Sequence, residues 1–194
     1  LTYEATASKL PGTAPHETVG CPVNPKVLAG DRGEAAVRYG LDAARPTLLV
    51  VGGSLGAETI NRLALAAVRS ERRSYQILHI TGPKYHESIA AQLQPLPEGV
   101  VLVGYEDRMA DAYAVADLVL CRAGSSTLAE LTAIGKPSVL VPSPNVTDNH
   151  QEGNARGLEE VGAAVVIVER DLDVAASVAQ IDSLLSDSDT LSRM

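Results

Sequence analysis

The chain has 194 residues, of which 45% are hydrophobic and 21% charged, and a formal net charge of −8. That is enough for one full core and short for two ordinary domains. The acidic balance argues against a generic nucleic-acid or anionic-membrane surface, and an aromatic content of 3% without Phe or Trp leaves no stacking platform for single-stranded nucleic acid. No apolar run is long enough for a bilayer span, no signal peptide opens the chain, and a start at Leu1 suggests a fragment. Cys21 and Cys121 lie far apart, each in an expected sheet environment. They fit a reducing compartment, and the simpler reading makes both small buried apolar residues.

Residues 1–23 are weakly patterned, with a short extended piece expected at 18–20, and read as a linker or the end of an upstream domain. Residues 31–39 predict a short helix stopped by Gly40. Thr-Leu-Leu-Val-Val at 47–51 is a buried strand that runs into Gly52-Gly53-Ser54-Leu55-Gly56-Ala57 and a helix to about residue 69. A strand over 75–81 is broken by Gly82-Pro83 and followed by a helix to about residue 93. A strand over 100–103 and a helix over 109–115 come next. Residues 121–155 are the richest stretch: a strand ending at Cys121, a glycine turn, a helix opening at Ser125-Ser126-Thr127, a strand after Gly135-Lys136-Pro137, and a polar loop leading to a helix. A last strand over 163–168 and a helix over 174–185 precede an acidic, ragged end containing Asp187 and Asp189. Short apolar strands alternating with helices about six times specify an α/β fold, a Rossmann-like doubly wound parallel sheet with helices on both faces. Its single domain runs from residue 24 onward. Right-handed crossovers put every strand's carboxyl end on one rim, where ligands bind.

Two places on that rim suit an anion. The loop from Gly52 to Gly56 lies between strand and helix, but Val51 stands where a dinucleotide fingerprint needs its first glycine, and no Gly-Lys-Ser/Thr follows. A tight turn that merely fits helix to sheet explains it equally well, with Ser54 as helix cap or ligand contact. The second place is the helix opening after Gly124, where free N–H groups and the dipole favour negative charge. Glu130, one turn in, could bond a hydroxyl-rich ligand. Thr127-Leu128-Ala129-Glu130 also fits a capping box, which would occupy that carboxylate, and local pattern favours the cap. Arg122 suits a phosphate or a carboxylate at the rim, its plainer reading being a surface ion pair. Asp148-Asn149-His150-Gln151, with Asn154 one turn after Gln151, makes an unusually polar loop and helix start. His16, His79, His86 and His150 have no metal-ligand spacing, and no carboxylate among Glu98, Glu106, Asp107 and Asp111 is obviously paired for acid–base work. The pattern suggests a binding domain more than a complete active site.

The ordered series Val51-Gly52-Gly53-Ser54-Leu55-Gly56-Ala57, Met109, Ala116-Asp117-Leu118-Val119, Arg122 through Glu130, Gly135-Lys136-Pro137, and His150-Gln151 with Asn154-Ala155 resembles the carboxyl-terminal half of the MurG family. The resemblance covers about residues 19–167. It implies the donor-nucleotide domain of a GT-B glycosyltransferase that moves N-acetylglucosamine from UDP-GlcNAc to undecaprenyl-diphospho-N-acetylmuramoyl-pentapeptide, in peptidoglycan synthesis at the cytoplasmic face of the bacterial inner membrane. Glu130 would then accept from the ribose hydroxyls, against the local preference for a cap. Gly53 and Ser54 would hold the diphosphate or sugar, the backbone near Glu106 would read the uracil edge with Met109 packed nearby, and Gln151 and His150 would meet the GlcNAc hydroxyls. Arg122 would lie near the nucleotide. The resemblance implies no metal and no cofactor, since helix N-termini and backbone donors offset the diphosphate charge. It places the general base, most of the acceptor site and the membrane-facing surface in an absent amino-terminal domain, so this chain alone is expected to bind donor weakly and transfer nothing. Where the family usually has Gly-x-Pro-Val-Arg, with the Arg approaching the donor, the chain has Gly20-Cys21-Pro22-Val23-Asn24, which removes a positive charge from the phosphate region; weaker donor binding, or compensation by Lys26, would follow. Rival readings are the donor domain of a glycolipid synthase or of a split dolichol-linked enzyme, a non-catalytic nucleotide-binding module, and a nicotinamide oxidoreductase, the last disfavoured by the missing glycine.

Overall fold

The structure, a computed structural model, describes residues 7, 12 and 15–194. Of the linker expected over residues 1–23, most of residues 1–14 therefore lies outside the described residues. Residues 15–24 form no regular element, so the extended piece expected at 18–20 pairs with no strand, and Cys21 is half-buried in this stretch rather than in the sheet. Asn24 then opens a 3-10 helix, Pro25–Ala29, its Oδ1 accepting from the Lys26 N–H at 3.1 Å. Gly30 follows so close to the helix at 109–115 that a Cβ on it would lie 2.2 Å from the Ala110 carbonyl oxygen.

The regular elements are α1 (Arg32–Tyr39), β1 (Thr47–Val51), α2 (Glu58–Val68), β2 (Gln76–Ile80), α3 (His86–Gln92), β3 (Val100–Val103), α4 (Met109–Val115), β4 (Leu118–Cys121), α5 (Ser125–Ile134), β5 (Ser138–Leu140), α6 (His150–Glu160), β6 (Ala164–Val166), α7 (Val174–Leu185) and α8 (Ser188–Arg193). Local chemistry sets several ends. Asp31 caps α1 through the Glu34 N–H at 2.9 Å, and Gly40 closes it in the left-handed conformation with φ 67°. At the far end Asp187 caps α8 through the Thr190 N–H and hydroxyl, so the acidic tail expected to be ragged is a helix.

All six strands run parallel in the order β3-β2-β1-β4-β5-β6. Val51 lies level with Ile80 and Cys121, which brings the carboxyl ends of the three central strands to one rim. Alternate strand residues face opposite layers. Leu48, Val50, Ile77, Leu118 and Leu120 pack under α2, α3 and α7. Leu49, Leu78, Val119 and Leu140 pack under α1, α4 and α5. The strands thus read as near-continuous apolar runs because both faces are covered. At the opposite rim Arg32 holds Asp117 with two bonds of 2.9 Å, and Asp117 also accepts from the Thr47 N–H, tying α1 to the start of β1 and β4.

Candidate functional site

Strand order reverses between β1 and β4. A chain leaving β1 crosses toward β2 and one leaving β4 crosses toward β5, so a crevice opens between the two loops. On the β1 side, Gly52 packs so tightly that a Cβ would lie 2.4 Å from the Ala57 nitrogen. The Gly56 N–H donates to the Gly53 carbonyl at 3.0 Å, with Gly53 at φ 87° and Gly56 at φ 76°, a turn that only glycine enters without strain. Ser54 and Leu55 stand exposed at its tip. The helix begins later, at Glu58, with Ala57 in the cap position and no side-chain cap. Ser54 is therefore not a helix cap, which removes the structural explanation weighed for its hydroxyl. Gly56 and Gly82 meet backbone to backbone: a Cβ on Gly82 would lie 2.5 Å from the Gly56 Cα.

On the β4 side, Gly124 is the N-cap of α5 and no side chain caps that helix. Thr127 lies inside the helix, so the capping box favoured on local pattern does not form, and Glu130 is free of that duty. One of its oxygens, Oε2, accepts instead from the Tyr113 hydroxyl at 2.8 Å; no described residue bonds Oε1. Burial, reinforced by the Glu130 charge, pushes the Tyr113 phenol far up, so it stays a donor at any working pH. The polar residues of α6 reach the same end of α5. The Asn154 amide donates to the Ser125 hydroxyl at 3.3 Å, and Gln151 Oε1 accepts from the Ser143 N–H at 2.9 Å, which leaves the Gln151 amide nitrogen to point elsewhere. His150 is exposed, its Nδ1 2.8 Å from the Thr147 carbonyl.

Arg122 is held to the protein through one nitrogen. Its Nη1 donates to the carbonyls of Val141 and Pro142 at 3.1 and 3.2 Å and to Glu169 Oε2 at 2.6 Å, and Glu169 in turn accepts from Thr59 at the start of α2. Of the two partners anticipated for Arg122, a carboxylate holds it. Glu106 follows β3 and is only 7% exposed. Its carboxylate accepts from Tyr39 Oη at 2.7 Å, from Arg38 Nη2 at 3.0 Å and from the Arg108 N–H at 2.8 Å. Burial works to raise its pKa, but the three donors and the Arg38 charge outweigh it and hold the carboxyl below the usual range. Met109, half-buried, opens α4 beside this loop. Among the described residues nothing bonds the backbone N–H of Glu106 or Asp107.

The sequence reading missed Tyr113, Glu169, Arg38 and Ser143. Tyr113 had a findable signal, standing one helical turn after Met109. Glu169 lies 47 positions from Arg122 and Arg38 lies 68 from Glu106, so no local pattern pairs them. Among the described residues no group of three or more His, Cys, Asp or Glu is placed to hold a metal, and no helix is long and apolar enough to cross a membrane.

A parallel sheet in this order, with a glycine turn and an uncapped helix start facing each other over the crevice, is the Rossmann-like half of a GT-B glycosyltransferase. Within that class, residues 47–194 match the glycosyltransferase family 28 C-terminal domain, and the chain belongs to that family. It is 39% identical over 179 residues to the UDP-N-acetylglucosamine–N-acetylmuramyl-(pentapeptide) pyrophosphoryl-undecaprenol N-acetylglucosamine transferase of Caldanaerobacter subterraneus subsp. tengcongensis, covering 90% of this chain and 49% of that protein. The enzyme of the same name from Oenococcus oeni is 39% identical over 203 residues, covering 97% and 54%. Among solved structures, MurG of Acinetobacter baumannii superposes with a TM-score of 0.73 at 27% identity, over 94% of this chain and 52% of that one. The calicheamicin glycosyltransferase CalG4, at 23% identity and a TM-score of 0.57, shares the fold. The chain spans about half the length of the curated relatives it matches.

Proposed function

We propose that the chain is the donor-binding domain of an inverting glycosyltransferase that carries N-acetylglucosamine from UDP-GlcNAc to a lipid-linked N-acetylmuramoyl-pentapeptide, with residues 1–23 leading in from an acceptor domain and residues 24–194 holding the donor. The observation that carries this reading is Glu130. It stands one turn into an uncapped helix at the switch point, with one carboxylate oxygen held by Tyr113 and Oε1 left for a ligand. A vicinal diol is the group such a carboxylate suits, and the α5 N-terminus beside it suits a diphosphate. In this reading Gly53 and Ser54 face the diphosphate or sugar, and the unpaired backbone at Glu106 reads the uracil edge beside Met109. Gln151 and His150 meet the sugar hydroxyls.

Arg122 lies near the nucleotide in this reading. Bound to two β5-end carbonyls and to Glu169, it braces the rim on which the ligand sits. In the whole protein the 4-hydroxyl of N-acetylmuramate attacks the anomeric carbon, a base in the acceptor domain takes its proton, and UDP leaves with inversion. This chain contributes leaving-group stabilisation through the helix dipole and fixed backbone donors. The acceptor lipid and a peripheral place on the cytoplasmic face of the inner membrane belong to the same proposal.

Calorimetric titration with UDP-GlcNAc, UDP-glucose, UDP and NADH tests it. Saturable binding of UDP-GlcNAc ahead of UDP-glucose, weakened at least about tenfold in Glu130→Ala, is the expected result. NADH binding without uridine binding would refute it.

A further inference from the structure

The loop after β3 is anchored by an ion network. Arg38, on α1, reaches two carboxylates at once: Glu106 through Nη2 at 3.0 Å and Asp111 through Nη1 at 2.7 Å. Asp111, 9% exposed, is also paired with Arg108 Nη2 at 2.8 Å. Glu106 completes the ring by accepting the Arg108 N–H and the Tyr39 hydroxyl. Two carboxylates and two guanidiniums therefore sit in alternation, balanced in charge, around residues 106–111. The anchor itself is fixed, because α1 is capped by Asp31, closed by Gly40 and held at its start by the Arg32–Asp117 fork. Its Ala35 and Ala36 are already buried in the core. Burying two carboxylates is a poor way to gain stability, since desolvation offsets most of the attraction. What such a ring does supply is one defined backbone path. That path carries the N–H groups of Glu106 and Asp107, which nothing among the described residues bonds, with Tyr105, 62% exposed, beside them.

We infer that the Arg38–Glu106–Asp111–Arg108 ring is a positioning device that presets the backbone of residues 104–108 to read the hydrogen-bonding edge of a nucleotide base, so that Glu106 and Arg38 set base selectivity through side chains that do not touch the ligand. The inference rests on the donor-site reading above and deepens it: the backbone of Glu106 meets the base, and its side chain aims that backbone. A preset loop loses little conformational freedom on binding, and a loop that must order itself discriminates less between bases.

The test compares UDP, CDP and inorganic pyrophosphate, titrated into the chain and into Glu106→Gln, Arg38→Met and Tyr39→Phe. Tyr75→Phe, on the opposite face of the sheet, serves as a control for general destabilisation. Amide exchange at Arg108 is followed in each protein. Glu106→Gln and Arg38→Met are expected to lower the UDP-to-CDP affinity ratio about fivefold or more, with pyrophosphate affinity within about twofold, while the Arg108 amide loses protection. Tyr39→Phe, which removes only one of three donors to Glu106, shifts the ratio less and in the same direction. Tyr75→Phe leaves it unchanged. An unchanged ratio in variants whose Arg108 amide has lost protection overturns the inference and leaves the donor site standing. Failure of the unaltered chain to bind UDP at millimolar concentration overturns the donor-site reading itself, and the inference with it.

Discussion

Replacing Glu130 by alanine separates the ligand role of this carboxylate from its structural one. The structure gives it one internal partner, the Tyr113 hydroxyl at 2.8 Å, and no part in capping α5. Truncation should therefore act twice. In the folded protein the Tyr113 hydroxyl loses its acceptor in a buried place, a cost of about 1–3 kcal/mol. In the complex the ligand loses a bond to a charged acceptor, worth about 1.5–3 kcal/mol, so UDP-GlcNAc should bind roughly 10- to 150-fold more weakly. Tyr113→Phe divides the two effects. It deletes the hydroxyl that needs an acceptor and leaves the carboxylate intact, so it should cost stability by about 1 kcal/mol and leave affinity within a few-fold. Glu130→Gln keeps an acceptor without the charge and should fall between. Calorimetry on all three proteins supplies affinities, and urea unfolding supplies stabilities. If Glu130→Ala loses stability but binds UDP-GlcNAc as the unaltered chain does, the carboxylate serves Tyr113 alone and the ribose assignment is wrong.

Further outcomes follow from groups away from the ligand. Tyr75 is fully buried and donates to Asp182, itself 5% exposed, at 2.7 Å. Among the described residues Tyr75→Phe leaves that carboxylate only the Ser70 hydroxyl, and calorimetric unfolding should show a loss of about 1–3 kcal/mol. His79 is wholly buried, and because Asn61 gives its amide nitrogen to the Thr81 carbonyl, its oxygen faces His79 and the imidazole must donate from Nε2. Burial, with the nearby His86 charge, lowers His79 from 6.5 to about 4. The unfolded chain then binds the extra proton between those two values, so stability is complete above pH 6.5 and falls as pH drops toward 4, by roughly 3 kcal/mol in all. Urea unfolding at several pH values should show this slope, and His79→Gln should flatten it; an unaltered slope in the variant would exclude His79 as its source. Glu106, held low, adds stability that is complete above the ordinary carboxylate range and is lost as pH falls through its depressed folded value, so Glu106→Gln should lower the neutral plateau and flatten the acid limb, the two curves converging at low pH. Gly56→Ala would place a Cβ 2.4 Å from the Thr81 carbonyl oxygen at φ 76°, and thermal unfolding should fall by several degrees.

The sheet was legible because its strands are apolar on both faces and punctuated by glycine. The bounds expected for β1, β3, α4 and α7 agree with those observed. The reading failed where a polar side chain decides a local matter. Asp187 caps a helix in a segment read as ragged, and the supposed capping box dissolves because α5 starts at Ser125, two residues before Thr127. It could not supply partners that come from distant segments: Glu169 for Arg122, Arg38 for Glu106, Tyr113 for Glu130. Each is a contact between elements brought together by the sheet order, and no periodicity encodes which side chain will face which. The ordered motif series does fall at the carboxyl ends of the strands, while the side-chain partners there follow only from the folded arrangement.

The contact between Gly56 and Gly82 has a practical meaning for altering this domain. Two neighbouring strand-end loops are interlocked main chain against main chain, with Tyr85 pressed beside the same point. The turn that presents Ser54 cannot be lengthened or given a side chain at its inner corner without displacing the loop after β2. On the proposed donor reading, attempts to admit a bulkier sugar are therefore better made on the α6 side, where His150 and Gln151 open a helix whose glycines press on no neighbouring loop. Grafting the glycine turn into another scaffold would need both loops moved as one piece.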